Sequence, residues 1–178
     1  MTYFEMVNKR QSCRSYDPAR PVEQEKLARC LEAARLAPSA CNSQPWRFTA
    51  VTGGEALLAL RESVQGQGMN KFASDSPVMV VVSEERPNAT EALGQRVKKQ
   101  DFVSIDIGLA TSQFCYQALE EGLSTCILGW FDEPKVKQII GLSEQKRVRL
   151  VLTLGYAKEG DPIREKKRKA LEKMGEIR

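Results

Sequence analysis

Histidine is absent from all 178 residues. That excludes a Ser-His-Asp triad, an imidazole general base and any His-ligated metal site. Long hydrophobic runs are missing too. No apolar stretch approaches the roughly 20 residues needed to cross a bilayer, so no membrane partner is expected. Met1 to Glu5 lacks a basic region followed by an apolar stretch, which argues against a secretory signal in this chain. Cysteine is sparse and scattered, at positions 13, 30, 41, 115 and 126, with no CxxC spacing. An odd, dispersed set excludes a disulfide framework and fits a reduced, cytoplasmic setting. Cys41 and Cys126 read as small residues filling tight space rather than as redox groups. A GxGxxG fingerprint is lacking, so a Rossmann nicotinamide site is unsupported. Aromatics make up only 7% and do not interleave the basic clusters, which weighs against nucleic acid as a partner.

What is present suits one globular domain over 1–178, with an apolar share of 42%. The net charge is +4, and much of the basic excess sits in Arg164 to Lys169, within a tail at 162–178. Helices are predicted at 3–10, 22–35, 55–65, 104–121 and 133–140, and strands at 47–52, 77–83, 124–128 and 147–156. Apolar positions Leu27, Cys30, Leu31 and Ala34 carry the second helix, and Ser104 is the expected cap of the long one. That long helix is apolar on more than one side. Ile105, Leu109 and Tyr116 follow one line, and Ile107, Ala110, Phe114 and Ala118 another, so one face is free to meet another subunit. The stretch 65–75 reads as a loop, and the polar stretch 84–99 as a mobile excursion. Alternating helices and strands place the chain in the α/β or α+β class, with a sheet flanked by helices.

Three clusters suit a phosphorylated, planar ligand. Arg10-Gln11-Ser12-Cys13-Arg14 sets two guanidiniums around a hydroxyl, and the planar fork of arginine pairs bidentately with phosphate oxygens. Ala34 to Phe48 is a loop bracketed by Pro38 and Pro45 and dense in Ser, Asn and Gln, whose amides can donate to and accept from a heterocycle edge. Lys166-Lys167-Arg168-Lys169 adds a second group of cations far along the chain.

The order Arg-x-Ser-x-Arg, then Ala-Arg-x-Ala-Pro-Ser-x-x-Asn-x-Gln-Pro-Trp-x-Phe, resembles the nitroreductase family of flavoproteins. Ile105 to Ala110, Gly122 to Cys126, Leu128 to Phe131 and Leu154 to Tyr156 continue the likeness in order. Only the proline-bracketed loop is specific by itself. The resemblance implies an α+β fold, a three-layer α/β/α sandwich with a mixed, mostly antiparallel sheet and a long central helix at a homodimer interface. It implies FMN, tightly but non-covalently held between two subunits. On that basis Arg10, Gln11, Ser12 and Arg14 would bind the phosphate and ribityl chain, with Lys166 and Arg168 approaching from the tail. Pro38, Ser39 and Asn42 would line the isoalloxazine, with Gln44 nearby, and Leu128 and Gly129 would offer backbone groups to its N5/O4 edge. The implied activity is ping-pong electron transfer from NAD(P)H, a transient reductant, through flavin N5 to a small electron-poor acceptor such as a nitroaromatic or quinone. No catalytic side chain is then required, which agrees with the missing histidines. Relatives of the fold also dehalogenate reductively, oxidise azolines or fragment flavin, and a non-enzymatic flavin-binding protein would use the same groove. No segment selects one of these.

Overall fold

The computed structural model describes residues 1–178. Its elements in order are α1 (Tyr3–Lys9), α2 (Gln24–Arg35), β1 (Trp46–Val51), α3 (Gly54–Ser63), β2 (Val78–Glu84), α4 (Ala89–Lys98), α5 (Phe102–Glu120), β3 (Ser124–Leu128), α6 (Glu133–Ile140) and β4 (Val148–Gly155). The strands form one sheet in the order β1-β2-β4-β3, and all three pairings are antiparallel. The parallel component is a single isolated bridge, Ser12 to Thr125.

The run 77–83 is apolar at successive positions because β2 lies inside the sheet and is covered on both faces. Val78, Val80 and Val82 enter the cluster shared with α2 and α5, while Met79 and Val81 enter the one shared with α3 and α6. In β4, Leu152 and Leu154 face the first layer, and Val148 and Val151 the second. Two helical layers thus sandwich the sheet, each seated on alternate residues of the same strands.

Helix α5 begins earlier than Ser104. Its cap is Asp101, whose carboxylate accepts from the Ser104 backbone N–H at 3.0 Å and from Ser104 Oγ at 2.6 Å. An ionised carboxylate beside a helix N-terminus is a stronger acceptor than a hydroxyl, so the helix extends back to Phe102. Gly122 ends it with φ 75°, letting Leu123 N–H reach Ala118 O at 2.8 Å. The two apolar faces are real. Ile107, Ala110, Phe114 and Ala118 are buried, while Ile105 and Leu109 stand 47% and 43% exposed. Phe114 is fully enclosed and stacks on Phe48, with ring centroids 5.7 Å apart.

The stretch expected to be an excursion at 84–99 contains helix α4. Asn88 caps it, accepting from Glu91 N–H at 2.9 Å. Its polarity hid the helix, because α4 rides on the surface and buries little beyond Glu91. The loop at 65–75 carries short 3-10 turns at Gly66–Gly68 and Lys71–Asp75.

Helix α2 is tied to the end of α5 by polar contacts. Arg29 donates twice to the Glu121 carboxylate, at 2.5 and 2.7 Å, and Lys26 donates to Glu121 O and to Tyr156 Oη. The Arg29 guanidinium, helped by Gln117 and Lys26, holds the Glu121 carboxyl at about 2, against the usual 4.5.

Two outcomes follow. Phe114→Ala removes a fully buried ring and should cost about 3–5 kcal/mol in denaturant unfolding; a loss below 1 kcal/mol would contradict the packing described. The Glu121 contribution is full above pH 4.5 and is lost as pH falls toward 2, because the folded state holds the proton less readily than the unfolded one. Glu121→Gln should therefore flatten the acid limb of a stability profile over that window. An unchanged slope would show that the pair does not act.

Candidate functional site

Leaving α1, the chain runs alongside β3. Cys13 N–H donates to Thr125 O at 2.9 Å, and Asp17 N–H donates to Tyr156 O at 2.9 Å. Tyr16 is fully buried and its hydroxyl pairs with Thr153 Oγ1 at 2.7 Å. Cys13 and Tyr16 therefore point inward as anchors, and Arg14 is exposed between them.

The tail returns to this segment after β4. Gln11 uses both ends of its amide: Nε2 donates to Pro162 O at 3.0 Å, and Oε1 accepts from Arg164 N–H at 2.9 Å. Arg164 Nη2 donates to Ser12 O at 2.7 Å, and Lys166 Nζ donates to Arg10 O. Backbone carbonyls and one side-chain amide thus stitch two remote parts of the chain together. Gln11 emerges as the clip that positions the tail.

The stitching gathers like charges. None of Arg10, Arg14, Lys166 and Arg168 is ion-paired with a carboxylate. Arg10 Nη2 is buried and has no hydrogen-bond partner. Burial, then the neighbouring Arg168 and Arg10, push the Lys166 ammonium below the usual lysine range. The Cys126 thiol is raised by burial, while Arg14, Ser12 and Arg10 converge on it and pull the other way. A buried guanidinium nitrogen is thus left without an acceptor among cations that are not ion-paired. Arg10 also lines a recess of about 160 Å³ with Gly108, Ser112, Cys115, Tyr116 and Ile127. A Cβ built on Gly108 would meet nothing within 4 Å, so α5 leaves open space there.

The loop from Pro38 to Gln44 is unusual in its backbone. Cys41, Asn42 and Gln44 all carry left-handed φ, at 50°, 51° and 50°. Such a conformation costs roughly 1 kcal/mol or more per L-residue, least for Asn, and persists only when surrounding contacts hold it. Ala40 N–H donates to the buried Asp106 carboxylate of α5 at 2.9 Å, and Gln44 N–H donates to Ser39 Oγ at 3.0 Å. Asn88 grips from α4, donating through N–H to Ser43 Oγ at 2.8 Å and through Nδ2 to Cys41 O at 2.9 Å. Pro38, Asn42 and Gln44 remain exposed and Ser39 half-buried. Leu128 is buried under the sheet, and Gly129 is exposed where β3 ends.

The fold therefore brings Arg10, Gln11, Ser12, Arg14, Lys166 and Arg168 together. It places Pro38, Ser39, Asn42 and Gln44 apart from them, with no hydrogen bond joining the two groups. Sequence reasoning missed Asp106 and Asn88, the residues that hold the loop. Asp106 did leave a signal: a carboxylate inside an otherwise apolar helical run has to find a donor.

The sequence model described as "Nitroreductase family" matches residues 7–68 and 63–156. The chain belongs to the nitroreductase family. A Thermus thermophilus protein named NADH dehydrogenase is 31% identical, over 86% of this chain and 86% of its own. An oxygen-insensitive NADPH nitroreductase of Helicobacter pylori is 28% identical over 76% of this chain and 78% of its own. Among solved structures, an Exiguobacterium sibiricum protein in complex with FMN superposes with a TM-score of 0.82 at 21% identity, covering 100% of this chain and 98% of its own. In this nitroreductase-family chain the fold is thus that of its solved neighbours.

Gln11→Ala removes both amide contacts to the tail. At about 0.5–1 kcal/mol for each exposed bond, local opening of 162–169 should rise roughly 5- to 30-fold. Limited trypsinolysis reads this directly, and equal cleavage rates in both proteins would refute the clip.

Proposed function

We propose that this protein is an FMN-dependent oxidoreductase. In this reading it passes electrons from NAD(P)H to a small electron-poor conjugated acceptor, such as a nitroaromatic or a quinone. The observation that carries it is a cluster of cations without ion-pair partners, which includes the buried, partnerless Arg10 Nη2. A phosphate monoester carries close to two negative charges at neutral pH and several strong acceptors. It fits four cations with no carboxylate partner, and relatives named for NADPH or NADH, with a solved neighbour holding FMN, supply the rest of the support.

Arg10 and Arg14 would grip the phosphate from two directions, with Ser12 Oγ between them, and Lys166 and Arg168 would close over it. Gln11 would keep the tail in place. FMN held there would supply the redox chemistry between the nicotinamide and the acceptor. Pro38, Ser39, Asn42 and Gln44 would form a rigid polar wall beside the isoalloxazine, and the Leu128–Gly129 backbone would approach its edge. No side chain with a titrating imidazole is needed to hold or move a proton.

The wall would come from a second copy of the chain. Ile105 and Leu109 of α5 are exposed, and a groove of about 540 Å³ between α1, α2 and α5 is lined by Tyr3, Met6, Leu36, Pro38, Leu109 and Tyr116. Pro38 lies in that groove, so a second copy seated there would contact the edge of the Pro38–Gln44 loop.

Purified protein titrated with FMN should bind one flavin per chain and bleach in the visible band when NADH or NADPH is added without oxygen. No flavin uptake, or no bleaching with either nucleotide, defeats the proposal. Arg14→Ala should weaken FMN by about 1.5–3 kcal/mol, the scale of a charge-assisted hydrogen bond, and an unchanged titration would move the phosphate elsewhere. Light scattering at micromolar concentration should give a dimer; a monomer would remove the two-chain site.

A further inference from the structure

The tail carries Lys166, Lys167 and Lys169 close together, and their surroundings differ. Lys167 and Lys169 are exposed, and neither ammonium donates to another part of the chain. Lys166 is half-buried, and its Nζ donates to Arg10 O. The backbone leading to it is anchored just upstream. Gln11 Oε1 accepts from Arg164 N–H at 2.9 Å, and Arg164 Nη2 donates to Ser12 O at 2.7 Å. One lysine of the three is therefore fixed beside the Arg10–Arg14 segment.

Its charged neighbours are free to take an anion. Arg10, Arg14 and Arg168 have no carboxylate partner, and Arg10 Nη2 has no acceptor. Lys166 has no carboxylate partner either, so no negative charge holds it in the ammonium form. Burial, then Arg168 and Arg10, push that ammonium below the usual lysine range. More of it is then free amine, the form that attacks a carbonyl carbon. A nucleophile thus stands beside cations suited to a phosphate, on a segment of chain that solvent reaches.

We propose that Lys166 is an acylation site, and that its donor is a small acyl phosphate held through the phosphate by Arg10 and Arg14. This rests on the phosphate clamp of the preceding subsection but not on the flavin. The free amine attacks the acyl carbon; the amide C–N bond forms and the C–O bond to phosphate breaks. Phosphate departs with the electron pair. Counted from the ammonium, one proton leaves on the phosphate and one goes to solvent. The guanidiniums that hold the donor also neutralise charge building on the leaving oxygen. The product has one cation fewer at the clamp, so an acylated chain holds a phosphate monoester less tightly.

The test incubates full-length, flavin-free protein with acetyl phosphate at neutral pH and reads acetyl occupancy at each lysine by peptide mass spectrometry. Lys166 should react about 10-fold or more faster than Lys167 and Lys169, the lower end of what electrostatic focusing supplies. Inorganic phosphate or FMN should suppress the reaction at Lys166 and spare its neighbours, and Arg14→Ala should remove most of the preference. An uncharged donor, S-acetyl-N-acetylcysteamine, should lose most of it too. Equal rates at the three lysines overturn the site. A preference that survives excess phosphate, or is undiminished with the uncharged donor, overturns the clamped acyl phosphate. A chain that takes up no FMN but shows phosphate-suppressed acetylation of Lys166 overturns the FMN reading alone. One that takes up FMN and acetylates all three lysines equally overturns the acylation site alone.

Discussion

Repulsion among like charges is the constraint around which this structure is arranged. Arg10, Arg14, Lys166 and Arg168 would move apart if nothing restrained them, and none of them is paired with a carboxylate; the nearby Asp161 is paired with Arg164. What restrains them is backbone. The Ser12–Thr125 bridge fixes one group to the sheet, and contacts from Gln11, Arg164 and Lys166 fix the other to the first. Those contacts are individually small, about 1 kcal/mol each, and together they hold an electrostatically unfavourable arrangement. The proposed phosphate would relieve that repulsion and satisfy the buried Arg10 nitrogen at once.

Helix α5 organises the rest. Its inner face supplies Phe114 to the core, its Asp106 holds the strained loop, Gly108 and Ser112 border the recess, and Ile105 and Leu109 face outward. One element thus sets the relation between core, loop, recess and exposed apolar face. A shift in its rotation would disturb all four, which explains why both of its ends are fastened, by Asp101 at the start and by the Glu121–Arg29 pair at the finish.

Much of this was legible in the sequence because burial leaves periodic marks. The successive apolar residues of β2 announced a strand covered twice, and the multi-sided apolar pattern of α5 announced one buried and one exposed apolar face. Ser124–Leu128 as a strand and Gly122 as a helix stop also follow from local chemistry. Helix α4 was illegible because a polar helix on the surface has no apolar stripe to read. The cap of α5 was misplaced because Asp101 and Ser104 are both capping residues, and only the geometry of the preceding turn selects between them. In the candidate site, the cations were visible as a composition, but their meeting was implied by the family resemblance alone and by no local pattern. It depends on Gln11 reaching residues about 150 positions away, a contact no local pattern encodes.

That separation has a consequence for how the protein is made. Arg164 reaches Ser12 across 152 residues of chain, so the two halves of the cationic cluster cannot meet until nearly the whole sequence has emerged from the ribosome. The sheet and its two helical layers need nothing beyond Gly155 and can assemble first. The cluster is therefore the last part of the molecule to come together, after the core on which it sits. A chain cut short within the tail would keep every residue of its two core clusters and lose one half of the cationic cluster.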